Sequence, residues 1–126
     1  MGQQQLLLIV LGVIVVGIAV VVGINLFSAN AVSANRDGVT ADLTNLGAMA
    51  QQYYRKPAAM GGGGYTFTGW SIVGTKLDTT PNGVYVPTVA AQSISIVGTG
   101  NELYNGSKIK HTSTITSTTI TTVKTN

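Results

Sequence analysis

Residues 6–27 read LLLIVLGVIVVGIAVVVGINLF. These 22 residues hold one polar side chain, Asn25, and the first charged residue of the chain is Arg36. At about 1.5 Å of rise per residue, a helix over this stretch is roughly 33 Å long, against about 30 Å of bilayer hydrocarbon. It is long enough to cross a membrane once. A helix that is apolar on every face must also be covered on every face, by lipid or by other chains.

Past Phe27 the pattern changes from uniform to striped. From Ser28 to Lys56 there is no proline and only two glycines, Gly38 and Gly47. Val32, Val39, Leu43, Leu46, Ala50 and Tyr53 recur at steps of seven, four, three, four and three, which makes one stripe of an amphipathic helix. Asp37, Asp42, Thr44, Gln51 and Gln52 fall mostly off that stripe. Nothing between Phe27 and Ser28 stops a helix, so one element is predicted from about Gln3 to Lys56. Pro57 ends it, because proline lacks an N–H and restricts the residue before it. Residues 1–56 thus divide into a segment, 6–27, that spans a membrane or is buried among copies of itself, and an amphipathic part, 28–56, whose stripe packs on a small head domain.

Residues 57–64 read as a glycine-rich linker, with Gly61–Gly64 as its flexible part. A phosphate-binding loop would need a following Lys-Ser/Thr pair and a preceding strand, and neither is present. Residues 65–126 have β texture. Tyr65-Thr66-Phe67-Thr68 and Gln92–Ile96 alternate as strands do, and Asn82-Gly83 and Asn105-Gly106 suit tight hairpin turns. His111 to Thr125 is predicted as a threonine-rich strand anchored by Ile115, Ile120 and Val123. A bulge is expected near Thr118, where the alternation breaks. Trp70 is assigned to the core or the domain edge, and His111 to an exposed strand position. The fold class is therefore α+β, with four or five antiparallel strands laid against the amphipathic half of a long N-terminal helix.

The polar residues exclude more chemistry than they suggest. The chain has no cysteine, one histidine (His111) and four carboxylates, Asp37, Asp42, Asp78 and Glu102. Disulfides, thiolate catalysis and covalent haem attachment are excluded together. Asp37 and Asp42 are five apart and do not face one another on a helix. No metal-ligand spacing and no nucleophile with a base is found, so no catalytic residue, metal, cofactor or enzyme activity is expected. The net charge of +3 comes from seven scattered bases, and few aromatics lie among them, so no nucleic-acid partner is expected either. The threonine-rich end reads as a solvated β face, with O-linked sugar as the sharper alternative. Asn105-Gly106-Ser107 fits an N-glycosylation acceptor while doubling as a turn.

A cleaved secretory signal is the economical rival for the apolar run, and Ala29-Asn30-Ala31 supplies a small-x-small pattern for it. Met1–Gln5 carries no basic residue, however, and the run exceeds the usual signal core of about 7–15 residues. An uncleaved helix is the expectation.

The long helix of Gln3–Tyr54, ending in Ala50-Gln51-Gln52-Tyr53-Tyr54, resembles the type IV pilin superfamily, whose subunits pair a long protruding helix with a small β-rich head. The resemblance covers roughly the first 56 residues and implies a repeating subunit of a pilus-like extracellular filament. Such a subunit waits in the cytoplasmic (inner) membrane as a single-pass protein before assembly. The resemblance also implies a homo-oligomeric partner and an assembly machinery, driven by an ATPase, that extracts the subunit. Family members carry a short basic leader cleaved after glycine, and a glutamate at the fifth mature position. If Met1 is the mature terminus, that place holds Gln5; if cleavage follows Gly2, it holds Leu7. An amide can bond a neighbour's N-terminal amine but cannot cancel its charge. Two alternatives stand beside this reading: a pseudopilin of a secretion apparatus, and a membrane-anchored adhesion or binding module that never polymerises.

The candidate assembly surface comprises Gln5, Leu6, Leu7, Leu8, Ile9 and Leu11 at its start. Gly12, Ile14, Gly17 and Ile18 form its middle, and Val21, Gly23, Leu26 and Phe27 its end. Burying roughly twenty aliphatic side chains is worth about 30–60 kcal/mol gross, an upper bound. In lipid that gain is already made, so assembly exchanges lipid for neighbouring helices. Gly12, Gly17, Ala19 and Gly23 allow close approach. The same glycines, among valines and isoleucines, give poor helix propensity. Any unwinding in a filament is expected between Gly12 and Gly23.

Overall fold

Gly2–Arg55 form one uninterrupted helix, α1, in the computed structural model, which describes residues 2–72 and 76–126. The chain divides into two compact units, Met1–Ala31 and Val32–Asn126. In the first, α1 passes through Gly12, Gly17 and Gly23 without a break, and residues 2–30 are all solvent-exposed.

In the second unit the striped part of α1 packs on a five-stranded antiparallel sheet of order β1-β2-β3-β4-β5. The strands are β1 (Thr79–Thr80), β2 (Gly83–Val89), β3 (Ile94–Tyr104), β4 (Ser107–Ile115) and β5 (Ile120–Lys124). The α+β arrangement expected from the sequence is present. Alternation puts Tyr85 of β2, Ile94 and Ile96 of β3, and Ile109 and Ile115 of β4 on the helix side, all buried. Val39, Leu43, Leu46 and Ala50 meet them from α1, and Phe67, Trp70 and Ile72 complete the core.

Arg55 is the last helical residue, one short of the expected end. A 3₁₀ turn follows at Ala58–Met60. The glycine run carries a set of backbone bonds: Gly63 N–H donates to Tyr53 O at 2.8 Å, Gly64 to Lys56 O at 3.0 Å and Tyr65 to Tyr54 O at 2.8 Å. These bonds satisfy carbonyls that the end of a helix leaves open. Side chains would not fit here, since a Cβ on Gly62 or Gly63 would meet the backbone of Lys56 or Thr66.

Four expectations are corrected. Tyr65–Thr68 is not a strand. Tyr65 sits at φ 66°, the Thr68 N–H bonds the Thr66 hydroxyl at 3.2 Å, and Phe67 turns into the core. Local hydroxyl bonds here compete with a ladder and win.

The first hairpin turns one residue earlier than expected. Pro81-Asn82 form the turn and Gly83 already pairs with Thr80 and Gly100, because proline pre-sets the φ of the first turn position.

The threonine-rich end is a hairpin of β4 and β5 rather than one bulged strand. The Thr116 and Thr119 hydroxyls, 2.6 Å apart, and the Thr116 N–H to Thr119 O bond of 2.9 Å close its turn. The register shift of the sheet falls instead between Thr99 and Leu103.

His111 is buried, not exposed, because it stands on the helix-facing side of β4. Asn105-Gly106 is the tight turn expected: their φ values of 51° and 80° suit the turn that joins β3 and β4.

Candidate functional site

The apolar segment of α1 offers its side chains to the outside on every face. Exposure of its large residues runs from 50% at Val22 to 76% at Phe27. Gln5, Leu6, Leu7, Leu8, Ile9, Leu11, Ile14, Ile18, Val21, Leu26 and Phe27 are all exposed, and so are Gly12, Gly17 and Gly23. A Cβ added at any of these three glycines would meet nothing within 4 Å, so the backbone there is open to a neighbour. Soluble monomers rarely leave apolar patches above a few hundred Å² uncovered. This helix is long and apolar enough to cross a membrane.

Of the residues expected to pack on the head, Val39, Leu43, Leu46 and Ala50 are fully buried, while Val32 and Tyr53 lie partly buried at the core's margin. Asn105 is exposed at the tip of the β3–β4 hairpin. Trp70 is 8% exposed, which leaves little ring face for a sugar in the groove it lines with Met49, Gln52, Tyr53 and Lys56.

The polar residues beside the stripe, which the sequence placed away from the packing face, clamp its edges. Asp42 Oδ2 accepts from the Tyr85 hydroxyl at 2.6 Å, the Thr80 hydroxyl at 2.7 Å and the Asn82 amide at 3.1 Å. Burial pushes the Asp42 carboxyl up, but these three bonds outweigh it and leave its pKa below the usual value. The Tyr85 hydroxyl is raised well above its ordinary range, first by burial and then by its bond to Asp42. Asn35 joins the same edge, donating to Asn82 O at 2.7 Å and accepting from the Glu102 N–H at 3.1 Å. Along the other edge Gln51 donates to Thr116 O at 3.0 Å and Arg55 to Ser117 O at 3.1 Å. Helix-wheel reasoning missed these contacts because an amide or carboxylate at a stripe's margin reaches the sheet without lying on the stripe.

A basic cluster sits where α1 meets β4 and β5. Arg36 Nη1 donates to Asn126 O at 2.7 Å and lies 3.5 Å from His111 Nε2. Arg36 and Lys124 both stand over the Tyr104 ring, at 5.1 and 5.2 Å from its centroid. Burial, then the charges of Arg36 and Lys124, hold the His111 pKa below its usual value. The shift favours the neutral imidazole. Among the described residues no three His, Cys, Asp or Glu side chains come together as a metal site.

No protein-family model, curated protein or solved structure matches this chain.

Proposed function

We propose that this chain is the structural subunit of a type IV pilus-like extracellular filament, polymerising through residues 6–27. One observation carries the reading: the helix that packs its striped part on a small sheet continues into a segment exposed and apolar on all faces. A single-pass anchor needs only to be greasy. A filament core needs a long helix whose backbone neighbours can approach, which suits the open flanks of Gly12, Gly17 and Gly23.

Before assembly the segment rests in the cytoplasmic membrane, with the head outside. Extraction exchanges lipid for the helices of identical copies, and the work comes from an assembly machine. The heads then coat the fibre, held to their helices by the Asp42, Gln51 and Arg55 clamps.

The test is shearing of cells that express the full chain, followed by negative-stain imaging and mass spectrometry of the sheared fraction. The expected result is fibres in which this chain dominates. Recovery of the chain only in membranes would contradict the proposal and favour an anchored module. Traces in short fibres built mostly of another protein would favour a pseudopilin.

A further inference from the structure

Shared burial of residues 6–27 accounts for every residue around Asn25 but not for Asn25, the one polar side chain in that stretch. Its amide offers two donors and an acceptor. The side chain is exposed, and no described hydrogen bond engages it. Asn25 lies 19 residues after Leu6, roughly 28 Å along the helix and so at the edge of a hydrocarbon layer about 30 Å thick. In the membrane the amide therefore reaches head-group water. In a lipid-free bundle of helices that water is gone, and an unpartnered amide among aliphatic side chains is costly.

We infer that Asn25 sets the register between copies, its amide N–H donating to a backbone carbonyl bared at Gly12, Gly17 or Gly23 of a neighbouring copy. A helical carbonyl keeps a second lone pair after its own i+4 bond, and at these glycines there is no Cβ to hold a neighbour off: the place one would take meets nothing within 4 Å beyond the adjacent residues and the helix backbone. A single polar side chain in an apolar helix interface fixes alignment where aliphatic packing alone permits sliding. The inference rests on the filament reading and names the contact that would define its geometry.

The test uses fibres of the full chain, wild type, Asn25→Leu and Asn25→Gln, reconstructed by cryo-electron microscopy. In the wild-type map the Asn25 nitrogen is expected within about 3.2 Å of a neighbour's glycine carbonyl. Asn25→Leu is expected to reach the membrane at the wild-type level but to give fibre segments that split into two or more classes of rise and twist. Asn25→Gln is expected to restore one class. A wild-type amide that faces solvent or only its own helix would overturn the inference, as would uniform Asn25→Leu fibres of wild-type symmetry. Both outcomes leave the filament reading standing. Failure of the wild-type chain to form fibres would overturn the two together.

Discussion

Replacing Asp42 with alanine removes the acceptor shared by Tyr85, Thr80 and Asn82. Thr80 and Asn82 are half-buried and can turn to water. Tyr85 is 2% exposed and cannot. A hydrogen bond to a charged group contributes about 1.5–3 kcal/mol net, and a stranded buried donor costs about 1–3 kcal/mol. With water recovering most of the other two bonds, Asp42→Ala should destabilise the head by about 3–4 kcal/mol. Tyr85→Phe, which keeps the ring packing and leaves Asp42 two donors, should cost about 1–2 kcal/mol. In the Asp42→Ala background the same change should cost almost nothing or restore stability, because it removes the stranded hydroxyl. The assay is denaturant unfolding of the full chain in detergent micelles. It is followed by the fluorescence of Trp70, the only tryptophan, which is buried in the core. A loss below about 1 kcal/mol for Asp42→Ala, or an equal cost of Tyr85→Phe in both backgrounds, would refute the clamp.

The same assay should show two acid-induced losses of stability. His111 has its pKa depressed from 6.5, so the unfolded chain takes up the proton first and stability falls as pH drops below that value. Asp42, depressed from 3.8, adds a second loss below it, and His111→Gln should remove only the upper step. Leu43→Ala, at a fully buried position, should cost about 2–5 kcal/mol by the same fluorescence readout. Gly98→Ala would bring a Cβ within 2.9 Å of the Tyr85 ring and 3.0 Å of Val39, and overpacking of this kind should cost about 1–3 kcal/mol. In a filament map, any interruption of α1 hydrogen bonding should fall between Gly12 and Gly23. A break elsewhere would show that glycine and β-branched content does not govern it.

Helix α1 and its buried stripe were legible in sequence because they rest on long, regular periodicity: Val39, Leu43, Leu46 and Ala50 lie where the spacing put them. The Asn105-Gly106 turn was legible because only small or amide-bearing residues tolerate its left-handed backbone. Tyr65–Thr68 misled because a four-residue alternation is equally compatible with a loop that buries one aromatic. The β4–β5 turn was hidden because Thr116 and Thr119 close it with hydroxyls in a run where threonine otherwise signals strand. The Asp42 and Arg36–His111 contacts join residues 43 and 75 apart in sequence. No local pattern encodes such pairings, which appear only once the register of the sheet is set.

The central claim is tested most directly by a near-atomic reconstruction of the sheared surface fibre. The expected map places Leu6–Phe27 of every copy at the fibre axis, each apolar side chain against the same segment of other copies, with the five-stranded heads outside. A fibre whose axis is built by another protein, or purified chains that keep this segment in a detergent belt with no like helices around it, would contradict the claim.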